Sequence, residues 1–251
     1  MRTISHQARM GYKVEKVHFN LLILSPQAQH AEFAAEMGYK KMNFIFDIGN
    51  VILSFKPEIF LKGLWDSETQ IDIINKIVFT SMEWILLDKG IITHEEAVNR
   101  MCSASPENEG LIRKTMECYQ DMFVPLDETV AFLYDLKKQN QKLYYLSNFH
   151  KKASVWIFAM YPFFSLFDGG IFSCDVHLLK PDLKIYHLLL EKYKLESEMC
   201  IFMDDTEENV IAAKEVGING IHFFTVSKAK EELKLKLGSA AFTVTGQEAA
   251  T

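Results

Sequence analysis

The sequence predicts a doubly wound α/β fold with a parallel sheet and an inserted helical segment. From Asn43 onward, short apolar runs alternate with helical patterns, an order that places helices on both faces of a sheet. The apolar runs are nearly continuous, as in parallel strands that are buried on both faces. Residues 56–125 break this order, because they contain helical patterns without strands.

Five segments are predicted as strands. They are rich in Phe, Ile, Leu and Tyr, and most of them end on polar residues. In chain order they are 43–47, 142–148, 170–173, 200–205 and 220–224.

Three core helices have recognisable ends. Asp127, Asp182 and Thr206 are predicted N-caps, since their side chains can accept a hydrogen bond from the first turn. Gly217 is predicted to end the third helix in a left-handed conformation. Helical patterns at 68–79, 94–101 and 110–122 fall in the strand-free segment.

The predicted organisation follows from these elements. Residues 43–55 and 126–237 form the α/β core, and residues 56–125 form a helical cap above the carboxyl edge of the sheet. Residues 1–42 are an N-terminal extension left out of the fold prediction, and residues 238–251 are a loose tail.

Composition narrows the class of protein. The 251 residues carry a formal net charge of −6 with 49% apolar residues, which disfavours general nucleic-acid binding. No apolar run approaches the roughly 20 residues of a membrane span, and no secretory cleavage signal follows the short apolar run near the N-terminus. The four cysteines are scattered and lack zinc-ligand spacing, which favours a cytoplasmic protein.

Polar residues gather at the strand ends or in a loop beside one. Because the ends of parallel strands meet at one edge, three carboxylates and one ammonium group are expected to surround a small cavity. This set suits Mg²⁺, a substrate anion and a nucleophilic carboxylate. Singly, most of them are more simply a turn or a surface residue, whereas the adjacent acids Asp204 and Asp205 are the strongest single signal, for which a helix cap is an equal alternative. The residues are Asp47, Ser147, Asn148, Lys180, Asp204, Asp205 and Asn209.

Four segments carry a family resemblance. They are Phe-Asp-Ile-Gly-Asn-Val at 46–51, Leu-Ser-Asn at 146–148, Lys-Pro-Asp at 180–182, and Met-Asp-Asp-Thr-Glu-Glu-Asn at 203–209. They resemble the four motifs of the haloacid dehalogenase-like (HAD) superfamily, and the insertion resembles its type-1 cap. The likeness covers about residues 43–230. The first motif is similar to that of a branch containing bacterial sugar-phosphate phosphatases, including those acting on glucose 1-phosphate.

The resemblance implies a Mg²⁺-dependent phosphatase that hydrolyses a small phosphorylated metabolite, with a sugar phosphate as first candidate. Asp47 would be the nucleophile and form an aspartyl-phosphate. Ser147 would bind the transferring phosphoryl group, with the amide of Asn148. Lys180 would neutralise the phosphate and steady Asp47. The oligomeric state stays open.

The resemblance also implies a metal site. Asp47, the Gly49 carbonyl and Asp205 would ligate Mg²⁺, and Asp204 would ligate it or hold a bound water. Two further residues, Asn50 and Asn209, would support this acidic loop.

One position departs from the typical pattern. The second aspartate of the first motif, which acts as general acid and base in such phosphatases, is replaced by Gly49. We expect Asn50 or a cap residue to compensate. Three residues of the cap and one residue that follows the second motif are candidates for contact with substrate. They are Glu83, Trp84, Asp88 and His150. For Trp84, packing within the cap is the simpler expectation.

Gly49 leaves two other hypotheses open. A metal-independent dehalogenase needs no second aspartate, but it has no use for the Asp204–Asp205 pair. A degenerate protein that only binds phosphate or a partner has no need for Asp47.

Overall fold

A computed structural model describes residues 41–241 and has one five-stranded sheet. Every strand pair is parallel, and the order across the sheet is β3-β2-β1-β4-β5. This confirms the predicted doubly wound α/β fold. The strands are β1 (Asn43–Phe46), β2 (Lys142–Ser147), β3 (Gly169–Phe172), β4 (Cys200–Asp204) and β5 (Asn219–His222).

The sheet is buried on both faces. In β1, Phe44 and Phe46 belong to one apolar cluster, whereas Ile45 between them belongs to the cluster on the opposite face. All three side chains are fully buried. Two separate cores explain why the strands read as continuous apolar runs instead of alternating ones.

Helices from the core segments cover these faces. The helix 127–138 and the last helix pack on the face of Phe44, and the helices 183–193 and 207–215 pack on the face of Ile45. The core helices are α6 (Asp127–Lys138), α7 (Lys151–Met160), the short α8 (Ser173–Val176), α9 (Leu183–Tyr193), α10 (Glu207–Glu215) and α11 (Val226–Ala241).

The predicted helix ends are correct in part. Asp182 caps α9 by accepting a hydrogen bond from the Lys184 amide at 3.0 Å. Gly217 has the expected positive φ of 83° after α10. Thr206 stands at the cap position of α10 without a side-chain cap bond. The prediction for Asp127 is wrong, because Leu126 occupies the cap position and Asp127 lies in the first turn.

The residues between β1 and α6 form helices, as expected. The two chain segments that lead into and out of them run side by side: the Ser54 amide donates to Val124 at 2.7 Å, and the Leu126 amide donates to Ile52 at 2.9 Å. These segments begin directly after β1, which places the helical segment at the carboxyl edge of the sheet. The helices are α1 (Pro57–Leu64), α2 (Glu68–Ile74), α3 (Met82–Asp88), α4 (His94–Ala104) and α5 (Glu109–Cys118).

The ends of the folded region differ slightly from the expected boundaries. Met42, assigned to the N-terminal extension, is buried, and its amide donates to Gln141 Oε1 at 2.8 Å. Helix α11 runs through residues 238–241, which were assigned to the tail. The remaining residues of both terminal segments, 1–40 and 242–251, lie outside the described part of the chain.

A tight turn fastens the end of α3 to the sheet. Gly90 adopts a φ of 70°, and a Cβ added there would overlap the backbone oxygen of Cys174. Ser173 donates its hydroxyl hydrogen to the Asp88 carbonyl, and the same hydroxyl accepts the Phe149 amide at 2.9 Å. The turn that follows Asp88 is therefore held against the ends of β2 and β3.

We predict that Gly90→Ala lowers the free energy of unfolding by about 1–3 kcal/mol, because it combines backbone strain with a collision. Urea unfolding measures this loss. Gly110→Ala is the matched control: nothing lies within 4 Å of the added Cβ in helix α5, so stability should rise by up to about 1 kcal/mol. Equal stability of Gly90→Ala and wild type would contradict the described turn.

Candidate active site

Three carboxylates meet where two neighbouring strands end. Asp47 follows β1, Asp204 ends β4 and Asp205 follows it, and the Asp47 amide donates to the Met203 carbonyl at 2.9 Å. One oxygen from each of the three carboxylates lies within 4.8 Å of the others. The parallel register of β1 and β4 thus brings together residues that are far apart in sequence.

Lys180 joins two of these carboxylates. Its Nζ lies 2.8 Å from Asp47 Oδ1 and 2.5 Å from Asp204 Oδ2. Only 5% of Lys180 is exposed. The Asn148 side chain holds its backbone on both sides, accepting from the Lys180 amide at 2.8 Å and donating to the Lys180 carbonyl at 3.0 Å.

Asp204 is fully buried and its two oxygens have several donors. Besides Lys180, it accepts from the Thr206 amide at 2.9 Å. The Asn209 amide donates to both of its oxygens, at 3.0 and 3.1 Å. The carboxylate of Asp204 is therefore held in one orientation by the first turn of α10.

Asp205 is held by the loop that follows β1. Asn50 donates from Nδ2 to Asp205 Oδ2 at 3.1 Å, while its Oδ1 accepts the Phe55 amide at 2.9 Å. Asn50 has a φ of 52°, a left-handed conformation that asparagine adopts more readily than most residues. This turn places Gly49 at the cavity beside Asp47.

The charges in this cluster do not cancel. Burial is the largest effect on Asp47 and raises its pKa to about 6, although Lys180 acts against that shift. Burial opposes the charge of Lys180, but attraction to Asp204 and Asp47 outweighs it and raises the Lys180 pKa. Three carboxylates face one ammonium group here, and burial also raises the Asp205 pKa.

This arrangement fits a hard divalent cation. Mg²⁺ prefers oxygen ligands and is bound in proteins through one or two carboxylates together with water and substrate oxygens. The oxygens of Asp47 and Asp205 are close enough to share an ion, and both residues line the cavity. A cation there would offset the surplus negative charge.

A cavity of about 220 Å³ lies over these groups. Its polar side includes Ser147, which is buried at the end of β2 and whose hydroxyl interaction lowers the Asp47 pKa. The aromatic part of its lining comes from both the helical segment and the core. These aromatic residues are Phe55, Trp84, Phe123 and Phe149.

Asp88 and His150 line the same cavity. Burial raises the pKa of Asp88 to about 8, the charge of Asp47 adds to this shift, and the backbone amide of His150 acts against it. Burial lowers the pKa of the His150 imidazole to about 3. A protonated carboxyl and a neutral imidazole therefore face the cavity at neutral pH.

The structure brings all nine sequence-predicted site residues to this cluster. Trp84, expected to pack, does pack against Phe79 and Tyr119 while also lining the cavity, and Glu83 does not line it. Asp88, a candidate from the sequence for contact with substrate, does line the cavity. Gly90, a typical residue after a helix end, was the signal that α3 stops beside Asp88.

A buried carboxylate, a lysine and an acidic pair at the carboxyl edge of a parallel sheet define an α/β protein with a carboxylate-centred site. A family model for haloacid dehalogenase-like hydrolases matches residues 42–217. This chain belongs to that family.

Known relatives are similar over the same region. The sesquiterpene phosphatase astK of Aspergillus oryzae is 27% identical over 198 residues, which are 77% of this chain and 95% of that protein. The drimenol cyclase drtB of Aspergillus calidoustus is 23% identical over 203 residues, 78% of this chain but only 37% of that protein.

A solved structure has the same fold. A HAD family enzyme of Bacteroides thetaiotaomicron, a mutant in complex with magnesium and inorganic phosphate, superposes with a TM-score of 0.61 at 17% identity. The match covers 75% of this chain and 98% of that one. At this identity the likeness concerns the fold alone.

We predict that Lys180→Met destabilises the metal-free protein by about 3–5 kcal/mol at neutral pH, because two buried carboxylates lose their cation. The loss should shrink as pH falls, since without Lys180 the folded-state pKa of Asp47 rises further and protonation then favours the folded state. Urea unfolding between pH 4 and 8 measures both effects.

Lys142→Met is the control for this prediction. Its Nζ lies 2.6 Å from Asp168, but its side chain is 43% exposed, so the loss should stay below about 1 kcal/mol. A loss at Lys180→Met that does not depend on pH would contradict the assigned ion pairs.

Proposed function

We propose that this chain is a Mg²⁺-dependent phosphohydrolase that cleaves a small phosphate ester through an aspartyl-phosphate on Asp47. The observation that carries the proposal is the position of Asp47. Its carboxylate is buried at a strand end, lines a cavity, and lies 2.8 Å from a buried lysine. The similarity to a phosphatase over 95% of that relative's length supports the same chemistry.

Asp47 and the residues around it have different roles in the proposed reaction. Asp47 attacks phosphorus, Lys180 and the Ser147 hydroxyl bind the phosphoryl oxygens, and Asp204 keeps Lys180 directed at the cavity. Bound Mg²⁺, held by Asp47, Asp205 and the Gly49 carbonyl with Asp204 adjacent, would neutralise charge on the phosphoryl group. Asn50, Asn148 and Asn209 hold these groups in place, so that little reorganisation accompanies the reaction.

The size of the cavity favours a compact substrate. Its 220 Å³ lies below the roughly 300–1,000 Å³ of pockets that hold drug-sized ligands. A sugar phosphate is the first candidate, because aromatic side chains can pack against sugar rings and His150 has no hydrogen-bond partner for either ring nitrogen among the described residues.

An ester with an apolar leaving group is the second candidate. The observation that favours it is the aromatic lining of Phe55, Trp84, Phe123 and Phe149. The similarity to a sesquiterpene phosphatase points in the same direction. Apolar burial of this kind stabilises a bound hydrocarbon group by about 25 cal/mol per Å² of surface.

The proposal assigns the helical segment as a cap. Two residues of this segment, Trp84 and Asp88, line the cavity, and both lie on helix α3.

We further propose a cytoplasmic location and a small-molecule partner. No helix within residues 41–241 has the length and apolar character needed to cross a membrane. All four cysteines are free thiols.

The acidic cluster weakens the other two hypotheses. A metal-independent dehalogenase would have no use for three carboxylates within 4.8 Å of one another. A protein that only binds phosphate would lose affinity by holding the Asp47 charge next to that anion.

We predict that phosphate release from p-nitrophenyl phosphate and sugar phosphates requires both Mg²⁺ and Asp47. Asp47→Asn should lower kcat by at least about 10³-fold, because the amide is a poor nucleophile. EDTA should abolish activity and added Mg²⁺ should restore it.

Asp72→Asn, an exposed substitution on α2, is the control and should match wild type. Halide release that resists EDTA would support the dehalogenase instead. A folded protein that binds phosphate without turnover of any ester would support the binder.

A further inference from the structure

Cleavage of an ester with a basic leaving group requires a proton at the departing oxygen. The groups that line the cavity limit where that proton comes from. Gly49 has no side chain, Lys180 is held between two carboxylates, and burial lowers the pKa of His150 so far that its ring is neutral. Among the cavity-lining carboxyl groups, Asp47 and Asp205 belong to the acidic cluster, which leaves Asp88.

Asp88 has a fixed position at the cavity. Its backbone carbonyl accepts the Ser173 hydroxyl, and its carboxylate lies near the backbone amide of His150. The following turn packs Gly90 against Cys174. These contacts hold the backbone of Asp88 against the ends of β2 and β3, so the residue lines the cavity although it lies on the helical segment.

Asp88 also stands apart from the lysine network. Within residues 41–241, no lysine or arginine forms an ion pair with its carboxylate, whereas Asp47 and Asp204 share Lys180. Without a nearby cation, only the backbone amide of His150 favours the charged form of Asp88. The two sides of the cavity therefore differ in charge environment.

We propose that Asp88 is the proton donor and acceptor of the hydrolysis, in place of a side chain that Gly49 lacks. This inference rests on the proposed phosphatase function. In the first step, an Asp47 oxygen forms a bond to phosphorus and the ester P–O bond breaks. The electron pair of that bond stays on the leaving oxygen, which takes the Asp88 proton and departs as an alcohol.

The second step restores both residues. Asp88, now a carboxylate, takes a proton from water while the water oxygen bonds to phosphorus. The bond between phosphorus and Asp47 breaks, and its electron pair returns to the Asp47 carboxylate. The products are inorganic phosphate and a protonated Asp88, so the atoms and charges balance over the cycle.

The protonation state agrees with this role. Burial is the main cause that raises the pKa of Asp88 to about 8, and the negative charge of Asp47 adds to it. Tyr119 and Cys174 are the other titratable groups that interact with Asp88, and burial raises both of their pKa values, so both are neutral near pH 7. His150 is neutral as well.

Two esters that differ in their leaving groups test the proposal. The p-nitrophenolate ion leaves without a proton, whereas the phenolate of phenyl phosphate is far more basic and requires one. Asp88→Asn should lower kcat/KM for phenyl phosphate by about 10²–10⁴-fold and for p-nitrophenyl phosphate by less than about 10-fold. Asp72→Asn should leave both values unchanged.

Rapid mixing tests the second step. With p-nitrophenyl phosphate, Asp88→Asn should release a burst of one p-nitrophenol per active site and then turn over slowly, because water attack has lost its base. A variant with only structural damage would lose kcat/KM equally for both esters and would show no burst. Circular dichroism and urea unfolding show whether the variant is folded.

The outcomes separate the two proposals. An Asp88→Asn protein that hydrolyses both esters like wild type, or that loses both equally, overturns the role of Asp88 and leaves the phosphatase function standing. Wild-type protein that hydrolyses neither ester nor any other member of the phosphate-ester panel overturns the phosphatase function and this inference with it.

Discussion

The pair of contacts that Lys180 makes with Asp47 and Asp204 is the interaction on which the active site depends. A buried ammonium group is costly unless it is paired, and two carboxylates that end adjacent strands repel each other unless a cation lies between them. Lys180 meets both requirements at once. The loop that carries it is in turn fixed by Asn148 at the end of β2, so three separate chain segments must fold correctly before the charges are compensated.

Lys180 compensates the negative charge of this cluster only in part. One lysine faces three carboxylates, and the surplus negative charge suits the cation and the bound phosphate of the proposed function. The helical segment adds the opposite kind of surface. Its residues Trp84 and Phe123, together with the core residue Phe149, give the cavity an apolar side, which excludes water and strengthens the electrostatic interactions at Asp47.

Much of this could be predicted from the sequence, and the limits are physical. The parallel sheet was predictable because burial on both faces requires continuous apolar strands, and the convergence of Asp47, Ser147 and Asp204 follows from strand direction alone. The paired hydrogen bonds between Asn148 and the Lys180 backbone were not predictable, since they join loops 32 residues apart. Nor could the sequence show whether Trp84 packs inside the helical segment or lines the cavity, because its large side chain does both.

The same limit applies to Asp88, and it shows how one cavity can hold carboxyl groups with different tasks. Near a cation a carboxylate keeps its charge and acts as a nucleophile or metal ligand, whereas away from cations burial keeps it protonated. Asp47 lies 2.8 Å from Lys180, while Asp88 has only a backbone amide to favour its charged form, and its pKa is raised to about 8 against about 6 for Asp47. A cation bound at the acidic cluster would widen this difference, because it would lie closest to Asp47. The proposed roles of Asp47 as nucleophile and Asp88 as proton donor therefore depend on the position of one lysine, which lies next to Asp47 and forms no ion pair with Asp88.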